Sequence, residues 1–171
     1  MKTTKTLFLL IVILMTSIGT YAQKFAYVDS DYILSKMPEF IQAEEKIDDF
    51  SKEWQSEIEL AYEEVEQMYR DYQSEQVLLT SEMKTKREEA IMEKEKSVQL
   101  LQQKYFGNNG DLYKKRQDLI KPIQDRIFDA IQQLAASNKY SIIFDASSDL
   151  IMLYSNPDLD KSDKVLELMG Y

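Results

Sequence analysis

Ile47, Phe50, Trp54, Ile58, Ala61, Val65, Met68 and Tyr72 follow one another at spacings of 3, 4, 4, 3, 4, 3 and 4 residues. This near-heptad stripe is the pattern of a helix with one narrow apolar seam. No Gly or Pro interrupts Glu39 to Gln76, so the helix should run for roughly 60 Å at 1.5 Å per residue. A small globule has no use for an arm of that length. The seam calls for a partner helix laid along it.

The chain supplies that partner. Val77-Leu78-Leu79-Thr80-Ser81 interrupts the seam with consecutive apolar residues, and Thr80 or Ser81 can cap a new helix, so this is the expected tip. A return helix carries Met83, Ile91, Val98, Leu101 and Tyr105 to Gly107-Asn108-Asn109-Gly110, the strongest local breaker in the sequence. That tetrad predicts a bend in the return arm, either a working hinge or an ordinary irregularity. Helical spacing resumes at Leu112, Leu119, Ile123, Ile127, Ile131 and Leu134, with Pro122 expected to kink the run or remove one backbone bond. Charge suits antiparallel pairing. Glu39 to Gln76 holds 13 acids and 3 bases, a net −10, whereas Glu82 to Lys104 holds 5 acids and 6 bases, a net +1. The contrast helps select the partner helix more than it stabilises it, because exposed pairs contribute ~0–1 kcal/mol each.

Both ends are β-prone. Phe25-Ala26-Tyr27-Val28 runs into Asp29-Ser30-Asp31, a turn or helix start, and a brief helix through Tyr32, Ile33 and Leu34 follows. Pro38 suits the first turn of the long helix. Tyr140–Asp145 and Leu150–Tyr154 read as two further strands joined by Ala146-Ser147-Ser148-Asp149. Ser162 is the expected N-cap of a last helix through Val165, Leu166 and Met169, closed by Gly170. The fold class is therefore α+β. A small β body (residues 23–38 and 138–171) bears a helical hairpin arm (residues 39–137) with its tip near 77–83. Tyr27, Val28, Ile142, Phe144, Leu150 and Met152 are expected in the body core or a subunit interface. Three short strands make a body too small to stand alone, which favours an oligomer.

Lys2 and Lys5 precede an unbroken apolar run from Leu7 to Met15, and Thr20-Tyr21-Ala22 follows. This reads as a secretory signal peptide (residues 1–22) cleaved after Ala22. Of the 171 residues, 149 would remain, with 19 bases against 30 acids, a net −11. Cys and His are absent, which removes disulfides, Cys/His zinc sites, thiol nucleophiles and His-based dyads. Adjacent acids such as Asp48-Asp49 or Glu63-Glu64 do not share a helix face, and neither a calcium loop nor a phosphate-binding loop occurs. No catalytic residue, metal or cofactor is expected. A sequence pI near 4.7 argues against nucleic acid.

The terminal blocks and the layout between them resemble the Skp/OmpH family of periplasmic chaperones. The most specific residues are Phe25-Ala26-Tyr27-Val28-Asp29 with Tyr32, then Ile142-Ile143-Phe144-Asp145-Ala146. Tyr154-Ser155-Asn156-Pro157 with Asp160, Ser162, Val165 and Leu166 forms the third block. Gly107 to Lys115 also looks like members from one branch of Gram-negative bacteria. The resemblance implies a homotrimer whose three hairpins surround a cavity that holds unfolded outer-membrane proteins in the periplasm without ATP. It also implies peripheral contact with membrane lipid. The best-known members are strongly basic, and this chain departs from them in its acidity. Its local basic capture surface, a candidate client contact, is Lys84, Lys86 and Arg87 just past the tip.

Within that frame, Leu78, Leu79, Met83 and Met92 are candidate client contacts, since flexible Met and Leu surfaces suit promiscuous binding. Leu78 suits closing the hairpin somewhat better than client contact. Tyr62 and Tyr69 lie one position off the seam and either pack or offer amphipathic contact to a client. A reading from another class is a structural coiled-coil envelope protein that spaces or tethers fixed partners and needs no exposed apolar surface.

Overall fold

The computed structural model describes residues 23–148 and 152–171. The expected leader with its cleavage point, and Leu150, lie outside these residues. Strand β1 (Lys24–Val28) leads into helix α1 (Ser30–Ser35), and α2 (Pro38–Glu75) follows with Pro38 in its first turn. Helices α3 (Ser81–Phe106) and α4 (Asp111–Asn138) return the chain to strand β2 (Tyr140–Asp145). A 3-10 turn (Pro157–Leu159) and α5 (Ser162–Met169) complete it. Helix α2 is 38 residues long, about 57 Å at the α-helical rise. Thr80 caps α3 by accepting the Met83 N–H, and α4 runs through Pro122 as one element.

β1 and β2 pair in parallel, with Phe25 opposite Ile142, Ala26 opposite Ile143 and Tyr27 opposite Phe144. Parallel neighbours require a long crossover, and here the crossover is the whole arm with its base. Among the described residues the sheet has two strands, not the expected three: Met152 to Tyr154 form no strand, and the first two residues of the expected Leu150–Tyr154 strand lie outside the described residues. Asp160 instead bridges Tyr27 on the outer edge of β1, where the Lys161 N–H donates to the Tyr27 carbonyl at 2.9 Å. Pro157 cannot donate to a ladder, and the tight turn it begins leaves room for a single bridge.

Strand alternation decides which side chains reach the core. Ala26 and Val28 are buried and Ile143 packs against the core, whereas Ile142 and Phe144 remain 47% and 38% exposed. Within one chain, Ile142 and Phe144 are therefore not core residues. With Phe25 they form the uncovered face of the sheet, and Tyr27 is half-buried beside them. The core beneath joins Val28 to Ile33, Leu34 and Met37, to Ala43 and Ile47 of α2, to Ile120–Leu134 of α4, and to Val165 and Leu166 of α5.

Two polar knots close this base. The Asp145 carboxylate accepts the Ser30 N–H at 3.1 Å and hydroxyl at 2.7 Å, and the Ser147 N–H at 3.1 Å and hydroxyl at 2.9 Å. Ser162 is not the N-cap but the first residue of α5. Lys161 is the N-cap, and Asp160 before it accepts the Ser162 N–H at 2.9 Å and hydroxyl at 2.6 Å. That frees the Ser162 oxygen to accept the Asp29 N–H at 2.9 Å. At the arm's root, Arg126 donates to Glu39 at 2.7 Å, and the Tyr171 hydroxyl donates to the same carboxylate.

Candidate functional site

The arm presents most of the molecule's exposed large side chains, and its geometry starts at the break between α3 and α4. Gly107 and Gly110 have ordinary φ values of −66° and −69°, so conformational freedom does not explain them. Close approach does. A Cβ at Gly107 would lie 2.4 Å from the Gln103 carbonyl oxygen, and one at Gly110 would lie 2.7 and 2.8 Å from those of Tyr105 and Lys104. Beside this joint, Trp54 stacks on Tyr105 with centroids 4.7 Å apart and planes 4° from parallel, and Phe50 stacks on Trp54 at 5.5 Å. Lys115 lies 4.9 Å from the Phe50 centroid and Lys104 4.8 Å from that of Tyr105, attractive positions for an ammonium over a ring. One aromatic column thus ties α2, α3 and α4 together at the corner.

Beyond the corner, Ile58, Val65, Val98 and Tyr105 bury along the seam, with Trp54, Ala61 and Leu101 packed against them. A series of phenols spans the same two helices. Tyr105 donates to Glu57 at 2.8 Å, Tyr62 to Gln102 at 3.3 Å, Tyr69 to Glu95 at 3.0 Å, and Tyr72 to Glu88. The sequence separations of these pairs fall from 48 through 40 and 26 to 16 toward the tip, as an unslipped antiparallel register demands. Hydrogen bonding to the carboxylates favours the neutral phenol, which raises Tyr105, Tyr69 and Tyr72 above the ordinary tyrosine range. Ion pairs across the arm are fewer: Glu64 with Lys94, and Glu75 with Arg87 at 3.2 Å. The −10/+1 contrast is thus expressed in two cross-arm pairs among the described residues, and phenol rungs carry the remaining polar contacts. The heptad separation of Tyr62 from Tyr69 was the available signal for these rungs; their Glu and Gln partners could not be assigned before the register was known.

The candidate residues divide accordingly. Tyr62 and Tyr69 do both things considered for them, bonding across the arm while leaving their rings exposed. Leu78 is 86% exposed and does not close the hairpin; the half-buried Leu79 sits at that position instead. Met83 and Met92 are exposed. Lys84 is half-buried, while Lys86 bonds Glu82 at 2.7 Å and Arg87 bonds Glu75. Two of the three tip cations are thus matched by carboxylates. In the body, Val28 is buried and Met152 half-buried. No group of three or more acidic, His or Cys side chains is placed to hold a metal among the described residues. None of their helices is long and apolar enough to cross a membrane.

Comparison with known proteins follows the same outline. The family described as outer membrane protein (OmpH-like) matches residues 24–169. The fold is similar to the crystal structure of a protein from Caulobacter crescentus described as an OmpH-like outer membrane chaperone, with a TM-score of 0.69 at 13% identity. That likeness covers 87% of this chain and 85% of the other. No curated protein matches the sequence.

Proposed function

The chain belongs to the OmpH-like outer membrane protein family, and from that premise we propose that it is an ATP-independent periplasmic holdase for unfolded outer-membrane proteins. The observation that carries this reading is the arm itself: a long, thin hairpin that leaves Tyr62, Tyr69, Leu78, Met83 and Met92 in solvent instead of burying them. A helix pair serving only as a spacer has no need of such residues, since exposed apolar groups are an aggregation liability unless something binds them. Aromatic, Leu and Met side chains suit a client without fixed shape, because they give contact area without demanding one partner geometry.

Assembly belongs to the same reading. The uncovered sheet face of Phe25, Ile142 and Phe144 would be buried between copies in a homotrimer, with three arms enclosing a cavity. The leader would deliver the chain to the periplasm, leaving Gln23 as the first residue. Client capture would then depend on apolar and hydrogen-bonding contact, because the scaffold is acidic and its tip cations are largely matched.

The direct test is dilution of a urea-unfolded β-barrel protein into buffer containing the mature chain at stoichiometric ratio. Light scattering should stay low, and the chaperone's mass in solution should be that of three copies. Scattering that rises as fast as without the protein would sink the holdase reading.

A further inference from the structure

We propose that a pocket in the base, between the end of α4, the start of β2 and α5, binds the C-terminal residue of a polypeptide through its free α-carboxylate and an apolar side chain. The pocket measures about 500 Å³, the size of a small-ligand site. Leu134, Tyr140 and Leu168 supply its apolar lining. Leu134 is buried, Tyr140 packs against the basal core, and Leu168 is 44% exposed at the edge. The larger cleft beside Gly107 and Gly110 is different. No large apolar side chain lines it, and its Lys104 and Lys114 are both drawn to Asp111, at 3.9 and 3.1 Å.

The polar groups of the pocket define the rest of the ligand. Lys161 lines it half-buried, and its ammonium donates to the Asp158 carbonyl. No carboxylate pairs with it among the described residues, and Asp160 beside it is taken up by Ser162. Two of its three donors remain for an anion, and a charge drawn partly out of water gains from one. Lys24 adds positive charge alongside, its ammonium 3.5 Å from the carbonyl of the lining residue Asn138. Lys164 on the rim is already matched by Glu167, which would repel a second negative charge, so one carboxylate fits better than a phosphate. The Asn138 amide donates to the Leu134 carbonyl at 3.0 Å and the Ser137 hydroxyl to the Gln133 carbonyl at 2.8 Å. Their oxygens are left to accept an N–H. The pocket thus asks for one negative charge, one N–H and one apolar group close together. A fatty acid has no N–H, and an internal Asp or Glu carries its carboxylate where the apolar group should be. The last residue of a polypeptide carries all three on one Cα, and capture of a C-terminal carboxylate is an established recognition mode. The inference does not depend on the holdase reading.

Fluorescence anisotropy with the mature chain tests this, using a labelled short peptide that ends in Leu with a free carboxylate. Its binding should saturate. Amidating the C-terminus, or placing Ser at the last position, should weaken it at least about tenfold. Lys161→Gln should weaken the free-acid peptide at least about fivefold and leave the amidated one unchanged. Lys84→Gln removes a half-buried lysine at the arm's tip instead and should change neither. Decanoate at matched concentration should not displace the peptide. In the wild-type chain, saturating peptide should shift the methyl resonances of Leu134 and Leu168 and leave those of Leu78 in place. Absence of saturable binding, equal affinity for acid and amide, or equal losses in the two lysine variants would overturn the inference. Displacement by decanoate, or unmoved Leu134 and Leu168 methyls, would do the same.

Discussion

The base of the molecule and its arm are stabilised in different ways. At the base, thirteen buried side chains from two sequence-distant ends converge on one core. Along the arm beyond the corner five are buried, Ile58, Val65, Ile91, Val98 and Tyr105. The base is a three-dimensional core, in which each residue is covered by several elements. The arm is a one-dimensional zipper, in which each residue is covered by one neighbouring helix and the polar rungs stand in water. Opening free energies differ across a structure in proportion to such burial, so the arm should open well before the base. On the proposed holdase reading, the surface that adapts to varied clients lies on the part that opens at lower cost.

The largest expected effect tests that difference directly. Ile127→Ala, at a position 4% exposed in the basal core, should cost about 2–5 kcal/mol and lower the melting temperature of the whole chain. Val98→Ala, at a position 1% exposed in the arm, should remove hydrogen-exchange protection from α2 and α3 beyond the corner and leave β1, β2 and α5 protected. Equal loss of protection in both regions would break the distinction.

A smaller effect is expected at the joint between the regions. Gly110→Ala forces a Cβ against backbone carbonyls that cannot move aside, and overpacking of this kind costs about 1–3 kcal/mol. Trp54 is the chain's one tryptophan and stacks on Tyr105 beside the joint. Its fluorescence should therefore shift in the variant even where far-UV helicity is retained. An unchanged spectrum would mean that the corner tolerates the methyl group and is looser than its geometry indicates.

The smallest effects distinguish the regions by pH. Burial alone would push the Asp145 carboxyl up, but the hydrogen bonds from Ser30 and Ser147 outweigh it and hold the group below the ordinary carboxylate range. A depressed carboxylate stabilises at neutral pH, and that stability is lost as pH falls through the depressed value. Asp145→Asn should thus flatten the acid limb of the base. The arm should respond at the opposite end, where the base also carries raised phenols at Tyr32 and Tyr171. Phenols raised by their hydrogen bonds to carboxylates stabilise below the ordinary tyrosine range, and that stability is lost as pH rises through the raised values. Tyr69→Phe with Tyr72→Phe should reduce the alkaline loosening of the arm, measured by circular dichroism, without changing the acid limb, because Tyr105 keeps its bond to Glu57.

Much of the arm was legible in the sequence because helix periodicity is a local property. The seam from Ile47 to Tyr72, the tip around Leu78 and Leu79, the Thr80 cap and the Gly107–Gly110 break all follow from residues within a few turns of one another. The body was less legible. Ile142 and Ile143 are both strand formers, and only the pairing of β2 with β1 tells which of them faces the core. Met152 to Tyr154 have strand composition, but edge pairing depends on what else reaches β1, and Asp160 reaches it. The Tyr rungs needed the register between two helices, which no local window contains.

The sequence by itself determined that this chain would be an acidic, helical hairpin rooted in β-prone ends, and its terminal blocks pointed to the family. Those properties depend on spacing, charge and breakers along one strand of covalent structure. The tertiary structure alone decided which phenols bond across the arm, which cations are matched, and which face of the small sheet stays uncovered. Each of those depends on how residues tens of positions apart are brought together, and that is settled by packing instead of by local preference.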